Sequence, residues 1–126
     1  MNDLFIVAFL MTLLVPTIMI IFGSIFSKNA PKNINRIYGY RTPRSMKNQE
    51  TWEFANKYCG KLWFRIGVIM LLVTSTLLLI SMNFGESVVL VCTSIFVTIQ
   101  TVTIILSVLP VEMALKKEFD DEGKRI

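Results

Sequence analysis

Three stretches of this 126-residue chain contain no Asp, Glu, Lys or Arg: residues 4–26, 66–84 and 88–111. Nothing else in the sequence restricts the fold as much. Each run is about the 20 residues that a helix needs to cross a hydrocarbon core roughly 30 Å thick. Within lipid every backbone N–H and C=O must find its partner inside the protein, which a helix achieves by itself. The expected fold class is an all-α membrane protein with three transmembrane helices. Composition agrees: mean hydropathy is +0.58 and only 17% of residues are charged, against about a quarter in soluble domains.

The spans are expected at 4–26, 64–84 and 88–111. A single domain over 1–126 is completed by a basic loop at 27–63 and a tail at 112–126. The first run is too long for a signal-peptide core and its flank, Met1-Asn2-Asp3, carries no basic residue, so it reads as a retained helix. Pro16 near its middle leaves the Thr12 carbonyl without its helical donor and predicts a kink. The second run opens on Leu62-Trp63-Phe64-Arg65, an interfacial start. Only residues 83–87 separate it from the third, with Gly85 as the stop, so the two form an antiparallel hairpin. Thr74, Ser75 and Thr76 in one, and Thr98, Gln100, Thr101 and Thr103 in the other, lie at similar depth. Interhelical hydrogen bonds between them are expected. The tail reads as a solvated extension of the third helix to about Glu122, stopped by Gly123.

All 13 Lys and Arg fall in the loop, the residues leading into the second span, or the tail, and therefore on one side of the membrane. By the positive-inside rule that side is the cytoplasm: N-terminus outside, C-terminus inside. Cys59 and Cys92 then sit near opposite faces, too far apart for a disulfide. Histidine is absent, and the sequence offers no paired carboxylate inside or beside the membrane and no nucleophile with a visible base. This argues against an enzyme, a metal site or a cofactor. The basic charge is accounted for by topology, so no nucleic-acid partner is expected.

The loop divides in two. In its first part Gly39, between Tyr38 and Tyr40, marks a backbone position with positive φ, and Pro43 holds Thr42 extended. Arg36, Arg41 and Arg44 are placed to meet lipid phosphates or an acidic partner. The second part starts at Asn48, a good N-cap. Trp52, Asn56, Cys59 and Trp63 then recur on one helical face, joined by Gly60, while Glu53, Lys57 and Lys61 share another. The pattern predicts an amphipathic helix at the interface, before the second span. Asn56, polar on an apolar face, needs partners and is expected to bond the turn at 38–42.

The run N-x-x-Y-G-Y-R-T-P-x-S, followed by N-x-x-x-W-x-x-A-N-x-x-x-G, resembles the signature of the SdpI family of small bacterial membrane proteins. The matching residues are Asn35, Tyr38, Gly39, Tyr40, Arg41, Thr42, Pro43, Ser45, Asn48, Trp52, Ala55, Asn56 and Gly60. The resemblance implies a bacterial cytoplasmic membrane and immunity to a secreted, membrane-active peptide toxin. The partners it implies are that toxin and a transcriptional repressor held at the membrane. Membrane lipids are expected partners from topology alone, and self-association is left open. The rival reading is a small lipid-binding or transport-associated protein, resting on the Arg-Thr-Pro turn and the intramembrane Gln100.

Overall fold

A computed structural model describes residues 3–126; Met1 and Asn2 of the N-terminal flank lie outside the described residues. The architecture is helical: α1 (Asp3–Lys28), α2 (Gln49–Ser81), a 3-10 turn (Met82–Phe84), α3 (Glu86–Leu106) and α4 (Val108–Glu118). Three units are long and apolar enough to cross a membrane: α1, α2 with its 3-10 turn, and α3 joined to α4. Gly85, at φ +98, ends the second unit.

The amphipathic segment is present, but as the first turns of α2 and not as a separate interfacial helix. At about 1.5 Å per residue the 33 residues of α2 extend well beyond the roughly 30 Å of a hydrocarbon core. The expected turn into the membrane does not occur, because nothing between Trp52 and Ile66 breaks the helix. Gly60, the one weak point there, is braced against the backbone of α1.

Residues 4–26 of α1 carry no charge and are apolar nearly all round, so hydrophobicity does not say which face is inside. Size does. Its buried residues are Phe5, Ala8, Thr12, Pro16, Met19 and Gly23, one stripe at helical spacing, while Leu10, Leu14, Ile18, Ile21 and Ile25 point outward. Small residues let helices approach where water supplies no hydrophobic drive between them. The stripe packs chiefly on α2. A β-carbon at Gly23 would stand 2.5 Å from the Phe64 nitrogen, and one at Gly60 would stand 2.5 Å from the Ser27 nitrogen. At this crossing the two backbones touch.

The Thr12 carbonyl released by Pro16 is taken by Gln100, whose Nε2 donates to it at 2.9 Å. Among the described residues the expected polar contact between α2 and α3 is not made: Thr74, Thr76, Thr98, Thr101 and Thr103 bond carbonyls of their own helices four residues back. Gln100 instead ties α3 to α1, with its Oε1 buried and unpartnered. Gln100→Leu should cost about 1 kcal/mol. In a Pro16→Ala background, where an N–H is restored to Thr12, the cost should fall by half or more. Unfolding of the four proteins in one detergent measures this coupling, and equal costs in both backgrounds would refute the assignment.

The tail differs from expectation. The helix ends at Glu118, not near Glu122, because Phe119 turns inward. Phe119 is 1% exposed and packs with Ala55, Cys59, Val111 and Leu115. The chain then reverses through Gly123 (φ +83) and pairs Phe119 with Arg125. Residues 119–126 form a hook over the start of α2, where Asn48 Nδ2 donates to the Gly123 carbonyl at 2.7 Å.

Candidate functional site

The basic end of the molecule is built on the projecting turns of α2. Asn48 caps them, accepting from Thr51 N at 2.9 Å, while Thr51 Oγ1 accepts from Asn48 N at 3.0 Å. Upstream, Thr42 and Ser45 exchange a similar pair: Thr42 N donates to Ser45 Oγ at 2.8 Å and Ser45 N to Thr42 Oγ1 at 3.2 Å. Such reciprocal bonds satisfy orphan amides locally and fix a turn. Asn35 does the same earlier in the loop, accepting from Ile37 N and Tyr38 N at 2.9 and 2.8 Å. Pro43 lies inside the Thr42–Ser45 turn, which closes with Met46 N donating to Thr42 O at 3.0 Å.

Trp52 and Asn56 hold this loop to the helix. Both are fully buried. Trp52 Nε1 donates to the Pro31 carbonyl at 2.7 Å. Asn56 Oδ1 accepts from Tyr40 N at 2.6 Å, and its Nδ2 donates to Trp52 O at 2.9 Å and Tyr40 O at 3.4 Å. Gly39, at φ +103, crosses directly above them. A β-carbon there would lie 2.8 Å from Asn56 Oδ1 and 3.3 Å from the Trp52 ring, so both conformation and space require glycine. The face of Trp52 and Asn56 is therefore covered by the chain's own loop, and Ala55 and Cys59 by Phe119 of the C-terminal hook.

The residue that closes the site, Glu112 on α4, was invisible to sequence reasoning. Its Oε1 accepts from Tyr40 OH and from Thr42 Oγ1, each at 2.6 Å, and Arg44 Nε lies 3.9 Å from Oε2. The available signal was a lone carboxylate just past a 24-residue uncharged run, opposite a loop rich in donors. Burial, and then the Glu112 carboxylate, push the Tyr40 phenol far above its ordinary value of 10.0. Because its folded pKa is raised, Tyr40 favours folding below pH 10, and this is lost as pH climbs from 10 towards the raised value. In a titration of phenolate absorbance Tyr40 should remain neutral well past pH 10. Glu112→Gln should move it back towards 10. A phenol that titrates identically in both proteins would sever Tyr40 from Glu112.

The three loop arginines have different neighbours. Arg44 faces Glu112 and Asp121, within the same chain. Arg41 donates to the Arg36 carbonyl, and among the described residues neither Arg41 nor Arg36 meets a carboxylate. Beside them lies a cavity of about 460 Å³, bounded by Phe22, Gly23 and Phe26 of α1, Cys59, Gly60 and Trp63 of α2, Val108 of α4 and residues 37–42 of the loop. Trp63 Nε1 donates to Ser107 Oγ at 3.0 Å, bracing the junction of α3 and α4 at its edge. Of the residues singled out in the sequence, the loop and α2 set thus converge at one end. Thr74, Thr76 and Gln100 lie apart, within the spans.

Comparison with known proteins matches residues 32–111 to the SdpI/YfhL protein family. A curated relative, "Uncharacterized protein YfhL" of Bacillus subtilis (strain 168), is 43% identical over 53 residues. That stretch is 42% of this chain and 48% of the relative, so the chain spans about half the length of the curated relative that it matches. No solved structure matches. The family match runs from the loop through all of the second and most of the third membrane-crossing unit, and takes in the turn, its anchors on α2 and the span leading to Glu112. On that evidence the chain belongs to the SdpI/YfhL protein family.

Proposed function

We propose that this protein is an immunity protein of a bacterial cytoplasmic membrane, protecting its host against a secreted, membrane-active peptide toxin. Family membership is the observation that carries the reading. The proposed orientation puts the basic loop, the C-terminal hook and Glu112 in the cytoplasm, because all 13 basic residues gather at that end.

The site favours binding or shielding over catalysis. Its polar groups are spent on one another: Asn56 on Tyr40, Ser45 on Thr42, Glu112 on Tyr40 and Thr42. What they build is a rigid, cationic surface beside an apolar cavity.

The test is survival of a toxin-sensitive bacterium that expresses the chain, challenged with a membrane-active peptide toxin. Arg41→Ala serves as a control matched for protein level. Protection by the intact protein that falls at least tenfold in the variant is the expected result. A membrane-inserted wild type that gives no protection would remove the immunity reading, and full protection by the variant would move the working surface away from Arg41.

A further inference from the structure

The cavity beside the motif loop straddles two environments. Phe22 and Phe26 belong to the uncharged run at 4–26, whereas Tyr38 and Arg41 belong to the basic loop. In the proposed orientation one wall lies at acyl-chain depth and the other at headgroup depth. The cavity is also open outward, since Phe22 is 43% and Ile37 84% exposed. At about 460 Å³ it falls within the roughly 300–1,000 Å³ of small-ligand sites.

Its charge is as asymmetric as its depth. Glu112, the carboxylate nearest the loop, is engaged by Tyr40, Thr42 and Arg44. Arg41 lines the cavity with no carboxylate on it among the described residues, its guanidinium resting on a backbone carbonyl. Arginine's planar fork suits a phosphate diester, and a tyrosine at the rim adds a donor at the same level. Water fills such a site poorly at its aromatic end. A free phosphate ion would leave that end uncovered.

We propose that this cavity binds one anionic phospholipid from the surrounding leaflet, with its phosphate on Arg41 and the upper part of an acyl chain against Phe22, Phe26 and Trp63. A lipid matches both walls at once. It also reaches the site by lateral diffusion, through the opening at Ile37 and Phe22. This site stands whether or not the protein confers immunity.

Native mass spectrometry of the full chain, released from nanodiscs of phosphatidylcholine and phosphatidylglycerol in equal amounts, provides the test. Wild type should retain one phosphatidylglycerol in preference to phosphatidylcholine. Arg41→Gln should weaken retention about tenfold, the worth of one charge-assisted hydrogen bond, and Arg41→Lys should recover part of it. Val108→Trp narrows the cavity without touching the charge and should weaken retention. All three variants should keep the thermal midpoint of wild type, which separates loss of the site from loss of the fold. Glycerol phosphate, the headgroup chemistry without chains, should not compete. Equal retention of both lipids, retention unchanged in Val108→Trp, or displacement by glycerol phosphate would each overturn the proposal. So would an empty cavity that takes up an apolar membrane-active peptide in phosphatidylcholine alone.

Discussion

Gly60→Val should leave little folded protein to purify. A β-carbon at this position meets the Ser27 nitrogen at 2.5 Å, the Phe26 carbonyl carbon at 2.8 Å and the Gly23 carbonyl oxygen at 3.0 Å. All three are backbone atoms of α1, so no side chain can rotate away. Relief comes only from parting the helices, which uncovers the stripe that buries Met19 and Pro16 as well. Overpacking in a core ordinarily costs about 1–3 kcal/mol, and with main chain on both sides the upper end applies. The expected readout is a collapse in monodisperse protein extracted into mild detergent, with Gly60→Ala intermediate. A valine variant that melts with wild type would show that α1 and α2 do not cross here.

Asn56→Leu should detach the motif loop while leaving the spans intact. The substitution keeps the branched shape at somewhat greater volume and removes three hydrogen bonds, including the 2.6 Å bond from Tyr40 N. A buried group left without a partner costs about 1–3 kcal/mol, so a total near 3 kcal/mol is expected at this end of the molecule. Amide exchange at residues 40–45 should quicken, and trypsin should cut at Arg41 and Arg44, while the helical circular dichroism barely changes. Asn56→Asp retains the acceptor but buries a charge and loses the donor, so it should also open the loop. Unchanged protection at residues 40–45 in Asn56→Leu would mean that Trp52 and Glu112 hold the loop by themselves.

The spans were legible because charge is excluded from lipid whatever the tertiary structure, and 13 basic residues on one side mark one end of the molecule. Asn48, Gly39 and Asn56 were legible too, since each is a local misfit with one physical remedy: a cap, a positive φ, a buried partner. The helix faces were not, because a uniformly apolar run has no period for hydrophobicity to reveal; the stripe of Ala8, Thr12, Pro16 and Gly23 is a pattern of size. Pro16 announced an orphan carbonyl, yet which of several polar residues would answer it depends on how three helices rotate, and Gln100 was paired with α2 in error. Glu112 and the hook failed for another reason. A charged tail following a span usually faces water, and only the position of the loop, 70 residues away in sequence, makes that carboxylate an anchor.

That separation also sets an order of assembly. The ribosome makes Tyr40 and Thr42 before the second span exists, and Glu112 only after the third. The partner of Asn48, the Gly123 carbonyl, is synthesised later still. A nascent chain with two spans inserted therefore has its loop seated by Asn56 and Trp52, with its hydroxyls and Arg44 still uncovered. Closure of the basic end therefore waits on the third span, which delivers Glu112 and then the hook.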